Sequence, residues 1–237
     1  MKNFLLALVF VSISGLVGAQ KVVNDSNAEI RNVSSFHAVH ISNSFEVIIT
    51  QGTQESLAVS AENKEDVKDI KTYVEGGTLK ILFDHKDKWW PKNRKLKAYI
   101  AIKNLDEIKG SGSCNIKIDG SLTVPDLRIN FSGASDLEGK LVVSSKLDIH
   151  LSGASDIDIT GSANDAIIDI SGASDIKAFD FKTTNCKVDA SGASSVRITV
   201  DKELSAELSG ASSVHYKGTA MIKEIKTSGA SSISRKS

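Results

Sequence analysis

Residues 152–176 read SGASDIDITGSANDAIIDISGASDI. The hexamer SGASDI opens and closes this stretch, nineteen residues apart, and close variants of it recur before and after. Aligned on their glycine, the corners are Gly112, Gly133, Gly153, Gly172, Gly192, Gly210 and Gly229, with steps of 21, 20, 19, 20, 18 and 19 residues. A fixed period of this length is the signature of a stacked-repeat architecture.

Within each period the residues two, four and six before the glycine are mostly apolar: Leu127, Ile129, Phe131; Leu147, Ile149, Leu151; Ala166, Ile168, Ile170; Cys186, Val188, Ala190; Leu204, Ala206, Leu208. Such alternation describes a strand with one buried face. A further apolar column stands four residues after the glycine: Ile116, Leu137, Ile157, Ile176, Val196, Val214 and Ile233. Each period therefore reads as strand, tight corner, strand. If successive coils stack in parallel at about 4.8 Å, each corner residue lies on its counterpart and bulk there collides with itself. Glycine also permits the positive φ of a tight corner. The alanines that follow, Ala134, Ala154, Ala173, Ala193, Ala211 and Ala230, are expected to turn a methyl inward. Serines such as Ser152 and Ser155 are expected to bond turn backbone or the serine of the next coil.

The predicted fold is all-β, a parallel β-helix of about 20 residues per coil, seven corners making a rod roughly 34 Å long. A leucine-rich repeat would need an Asn or Cys ladder and a convex helical segment. A propeller would need a blade signature, and an antiparallel hairpin array does not make like residues stack on like.

Totals limit the partners. The 237 residues carry 29 basic and 29 acidic side chains, so no net field draws the chain to nucleic acid or an anionic membrane. Aromatics are only 5% of the chain, which suits thin stacked layers better than one thick core. Residues 1–19 read as a secretory signal: Lys2, an apolar run from Phe4 to Val11, and Val17-Gly18-Ala19 as the cleavage site. No second apolar run follows, so no transmembrane segment is expected in the mature chain. Export invites a disulfide between Cys114 and Cys186. Cys114 replaces a corner serine and Cys186 faces inward several coils away, beyond the roughly 7 Å Cα limit, so two free thiols are expected.

Residues 20–110 lack the hexamer and read as an irregular β region that forms the first coils and caps the solenoid, continuous with the regular repeats of 111–237. SFEVIITQG (44–52) puts Phe45, Val47 and Ile49 on one side before a turn, and SLAVS (56–60) continues as a strand. ENKEDVKDI (62–70) allows a helical turn or two. The Gly76-Gly77 pair suits a two-residue hairpin turn or a coil corner.

Taken together, Ala19-Gln20, FHAVHISNSFEVIITQG (36–52), VEGGTLKILF (74–83) and the iterated SGAS corners resemble the autotransporter adhesin head GIN domain family of exported bacterial proteins. The resemblance implies a right-handed β-helical fold and a cell-surface, periplasmic or extracellular setting. It brings no catalytic residues.

Candidate sites are few. Asp136, Asp156 and Asp175 would stack about 4.8 Å apart, which suggests either solvent screening or a calcium ion; exposed turn aspartates bonding local backbone are the simpler reading. Trp89 and Trp90 stand in a basic, turn-like segment, suited to stacking on a sugar or to a partner pocket, although covering the apolar end of the stack explains them as well. His37 and His40, three apart in a strand, should point to opposite faces and make a poor metal pair. His85, His150 and His215 are scattered, and no G-x-S-x-G elbow or phosphate loop is present. No cofactor is expected. The sequence reads best as a non-catalytic exported interaction module whose partner is a surface glycan or protein. A polysaccharide-active β-helix enzyme is the second reading, and a structural protein assembling end to end into an oligomer or fibre is the third.

Overall fold

The structure is a computed structural model and describes residues 25–84 and 95–237. The expected signal segment, residues 1–19, lies outside them. Alternation of buried and exposed side chains converts nearly all of the described chain into strands: β1 (Glu29–Arg31), β2 (Ala38–Asn43), β3 (Phe45–Gln51), β4 (Ser56–Ala61), β5 (Ile70–Glu75), β6 (Thr78–Phe83), β7 (Leu96–Ile102), β8 (Glu107–Gly112) and β9 (Asn115–Val124). They continue as β10 (Leu127–Gly133), β11 (Asp136–Gly153), β12 (Asp156–Ile170), β13 (Asp175–Ala190), β14 (Ser195–Leu208), β15 (Ser213–Lys217), β16 (Met221–Thr227) and β17 (Ser232–Arg235). About 70% of the described residues are strand and 3% helix, wound as a β-solenoid of about six turns with roughly 20 residues each.

From β8 onward each layer lies in parallel on the one before it. Gly133 registers on Gly112 and Gly153 on Gly133, and the apolar triplet Leu127, Ile129, Phe131 meets Leu147, Ile149, Leu151 position for position. These inward residues are buried, and so are Ile116, Leu137, Ile157, Ile176, Val196 and Val214; Ile233 packs partly against the core. Burying one large side chain such as Phe131 stabilises by roughly 1.5–3 kcal/mol, so the column is the main cohesive element. The drift of the period between 18 and 21 residues is taken up away from the glycine corner. Register slips occur between Glu138 and Lys140, Val143 and Lys146, Asp158 and Gly161, Ala178 and Lys182, and Leu204 and Ser205. The corner itself keeps its register.

The reason is backbone crowding. Gly153 has φ +98°, and a Cβ built on it would lie 2.3 Å from the carbonyl oxygen of Gly133. That same oxygen accepts the Ala154 N–H at 2.8 Å, so the corner is closed by a hydrogen bond that a side chain would displace. Collision is therefore with the backbone of the preceding layer rather than with another side chain.

One expectation about the corner is overturned. The alanines face solvent: Ala134, Ala154, Ala173, Ala193 and Ala211 are exposed, whereas the serine after each is buried. The left-handed glycine makes three successive residues point outward and so breaks the period of two. The small inward space left behind borders backbone N–H groups, and a hydroxyl satisfies them where a methyl cannot. Ser155 Oγ accepts the N–H of Ser135 at 3.3 Å, and Ser174 Oγ accepts that of Ser155 at 3.2 Å. Cys114 takes the first place in this column. Both thiols are free and buried, as their separation required. Burial pushes both up, Cys186 to about 12.

The N-terminal layers depart from chain order. β6 and β2 pair in parallel, as do β2 and β8; β7 and β3 pair in parallel, as do β3 and β9. The layer β2–β3 thus lies between β6–β7 and β8–β9, and the chain crosses over it between Ile102 and Glu107. Leu105 is buried in that crossing, and Asp106 anchors it, its N–H donating to the His37 carbonyl at 2.9 Å. Outside β6–β7 the pairing turns antiparallel: β5 on β6, β4 on β7, and β1 on β4. A 3-10 helix, Lys64–Asp69, buries Val67 against this end. The Tyr99 hydroxyl donates to Asp25 at 2.9 Å and ties the start of the described chain to the same cap.

Candidate ligand-binding surface

At six of the seven glycine corners the outward residues are a serine, the glycine and an alanine, and at the first they are Ser111, Gly112 and Ser113, so a narrow ridge of hydroxyls and methyls runs along the solenoid. The ridge serines are oriented by the preceding layer: Ser152 Oγ donates to the Phe131 carbonyl at 3.4 Å, Ser171 Oγ to that of Leu151 at 3.4 Å, and Ser111 Oγ to Ser42 Oγ at 3.1 Å. Their lone pairs remain for solvent or a ligand. The ridge begins at Asn43, which registers on Gly112 and holds φ +75°. Its side-chain oxygen accepts the Phe83 N–H at 3.0 Å, doing for the outermost layer what a corner carbonyl does elsewhere.

Beside the ridge, Asp136, Asp156 and Asp175 stand in register, continued by Asn115 on one side and Ser195 on the other. Arg197 Nη1 donates to both carboxylate oxygens of Asp175, at 2.9 and 2.8 Å. In the next outward column Lys117 pairs with Glu138 at 2.5 Å. Among the described residues no three His, Cys, Asp or Glu side chains converge as a metal site would require.

Where the ridge meets the cap, the chain builds a depression that the sequence alone did not reveal. Gly76 and Gly77, at φ +56° and +75°, make the two-residue turn that sets Tyr73 opposite Lys80. β6 then places Lys80 beside His40, and β8 places Lys109 on the other side of His40. The result is a hollow of about 250 Å³ lined by His40, Ser42, Tyr73, Lys80, Lys109 and Ser111, among others. Lys80 Nζ lies 5.6 Å from the centre of the exposed Tyr73 ring and also pairs with Glu75, which raises the lysine and lowers the glutamate. The same row of outward residues continues through Asn130 and His150 to Asp169, Asp189 and Glu207. It is basic at the capped end, acidic from Asp169 to Glu207, and closes on Lys226.

Trp89 and Trp90 lie outside the described residues, as does His85. His37 and His40 do not point to opposite faces: Ala38 and Val39 are both buried, which brings both rings to the outer side. They bind separate carboxylates, Asp106 at 2.8 Å and Glu107 at 3.3 Å. His150 bridges Asp148 and Asp169, at 3.0 and 3.5 Å. His215 Nδ1 meets Ser234 Oγ at 2.7 Å, but Arg197 and Lys236 flank the ring instead of a carboxylate, and with burial they lower its pKa.

Comparison with known proteins agrees with this architecture. The family described as "Putative auto-transporter adhesin, head GIN domain" matches residues 35–220. A crystal structure of a "putative adhesin" from Bacteroides fragilis superposes with a TM-score of 0.81 at 22% identity, covering 88% of this chain and 95% of that one. A "putative adhesin" from Parabacteroides merdae gives 0.66 at 17% identity, covering 89% and 95%. A "putative lipid binding protein" from Parabacteroides distasonis gives 0.62 at 23% identity, covering 89% and 98%. At these identities the likeness establishes the fold alone. No curated protein matches the sequence.

Proposed function

Since the chain belongs to the auto-transporter adhesin head GIN domain family, we propose that it is a non-catalytic, exported interaction module that recognises an acidic surface glycan. The observation that carries this reading is the depression at the capped end of the ridge. There an exposed tyrosine ring, two lysines, a histidine and two serine hydroxyls face one hollow. An aromatic face suits the apolar side of a sugar ring, the ammonium groups suit a carboxylate or sulfate, and the ridge hydroxyls extend the contact along a chain of sugars. Contacts of this kind are individually weak and add along a rigid support.

The setting is periplasmic, at the outer cell surface or extracellular, following a signal segment at residues 1–19 removed after Ala19. The irregular region 20–110 and the repeats 111–237 act as one continuous domain. Trp89 and Trp90, in the segment between β6 and β7, are proposed as further sugar platforms on the chemistry of their rings and their basic neighbours in sequence. Asp136, Asp156 and Asp175 act as an anionic stretch of wall. A rise in melting temperature in roughly millimolar calcium would instead make them a cation site.

The test is an array of neutral and acidic glycans probed with the secreted chain. Binding to carboxylated or sulfated glycans is expected. Tyr73→Ala and Lys80→Ala should each abolish it without changing the melting temperature. An array without a single retained acidic glycan overturns the reading.

A further inference from the structure

The two ends of the solenoid are finished differently. At the capped end, antiparallel strands β5, β4 and β1 and the 3-10 helix close the apolar interior. At the other end, among the described residues, β16 pairs only with β14 and β17 only with β15, so each presents one backbone edge that no described strand covers. An unpaired edge is a template for another strand. Every residue of β16 is exposed, and Met221, Ile222 and Ile225 are 71%, 45% and 38% accessible. Yet Ile222 registers on Leu204 and Ile225 on Ala206, both members of the inward column. They are core positions that no layer of the described residues covers. Lys223 is the extra residue at the register slip, which keeps two isoleucines three apart in sequence on the same inward side. The other large apolar side chains exposed among the described residues, Ile30 and Tyr73, belong to strands of the opposite end.

We propose that this end docks on the same end of a second copy, through a twofold axis that sets β16 antiparallel to its counterpart. The residues of β16 specify that partner. Met221-Ile222-Lys223-Glu224-Ile225-Lys226, read against itself in reverse, places Ile222 opposite Ile225 and Lys223 opposite Glu224, and symmetry supplies each pair twice. Apolar residues meet apolar and base meets acid, as cross-strand pairing favours. The twofold also carries β17 onto β17, so both edges are satisfied at once, and the two open interiors become one. The capped end cannot substitute, because its interior is closed. Such an interface is isologous and stops at the dimer. It is built from two strand edges and few apolar side chains, which places it in the small, weak class, with dissociation in roughly the micromolar range.

Sedimentation velocity of the protein from about 1 µM to about 500 µM reads the association directly. A monomer-to-dimer transition that ends at the dimer is expected. Lys223→Glu faces Glu224 with glutamate, and Glu224→Lys faces Lys223 with lysine, so each variant alone should associate at least tenfold more weakly. Mixed one to one, the two variants restore Lys opposite Glu at both places and should associate again. Ile222→Asp should abolish the dimer. The melting temperature of each variant, expected to equal that of the monomeric parent, separates lost association from lost fold. A monomer at all concentrations, a series of species beyond the dimer, or failure of the folded mixed variants to associate would each overturn the proposal.

Discussion

From Gly112 onward each coil lies on the one that precedes it in the chain, whereas before Gly112 the second coil to be made, β6–β7, is outermost and the first, β2–β3, is enclosed. The difference shows what the hexamer does. In the repeats, the space of a missing side chain is occupied by the carbonyl of the previous glycine, and the next N–H bonds that carbonyl. Each layer therefore prescribes its neighbour. The device reaches back one layer further, where the Asn43 carbonyl blocks a Cβ on Gly112 and accepts the Ser113 N–H at 2.9 Å; beyond it the order is set by the crossing at Leu105 and Asp106, by the hairpin at Gly76-Gly77, and by the Asn43 side chain, acting where a corner backbone would.

The largest effect should come from placing a methyl in the repeat corner. Gly153→Ala puts a Cβ within 2.3 Å of a fixed carbonyl at φ +98°, and a loss above roughly 4 kcal/mol, or failure to fold, is expected in urea titration. Gly120→Ala supplies the control. Its φ is +88° but nothing lies within 4 Å, so only backbone strain of roughly 1–2 kcal/mol should appear. Equal losses at the two sites would mean that stacking contact contributes nothing beyond φ.

At the junction of the two regions, Asn43→Ala keeps the strained φ and removes the side-chain acceptor of the Phe83 N–H, costing roughly 2–3 kcal/mol, while Asn43→Gly relieves the strain and should cost less. If both variants melt with the unsubstituted protein, the side-chain hydrogen bond is not what orders the outer layer. Inside the repeats, Ser155→Ala leaves the Ser135 N–H without its acceptor, and a loss of roughly 1–3 kcal/mol is expected in the same titration.

Much of this was legible beforehand because stacking repeats residue types. The seven glycines, the inward triplets and the distance between Cys114 and Cys186 followed from period alone. The alanine orientation did not, since three outward residues at a left-handed corner defeat a rule of two. The layer order did not either: β2, β6 and β8 share the same alternation, and nothing in AVHIS, TLKIL or EIKGS says which lies between the others. The hollow at Tyr73 unites residues 40, 73, 80 and 109, so it emerges only once that order is known. The hairpin half of it, Tyr73 opposite Lys80, was the recoverable part, because a two-residue turn fixes its own register.

A pH titration separates buried from surface groups. Cys186 is held up to about 12 by burial against an ordinary value of 9.0. A raised folded value favours the neutral thiol, so this contribution is intact below about pH 9 and is lost as pH rises toward 12. Stability should fall through that window by about one proton's worth, roughly 1.4 kcal/mol per pH unit, and Cys186→Ala should flatten the slope. An unchanged slope in the variant would place the titrating group elsewhere.

The permuted order of the first layers is open to a direct cross-linking measurement in a Cys114→Ser background. Glu46 registers on both Lys97 and Asn115, so it lies between them, with Lys97 and Asn115 two layers apart. Glu46→Cys paired with Asn115→Cys should oxidise readily to a disulfide, at about one layer spacing of 4.8 Å, and Lys97→Cys paired with Asn115→Cys should stay reduced at about twice that distance. The reverse outcome, with 97 and 115 bridged and 46 and 115 not, would mean that the coils stack in simple chain order and would contradict the account.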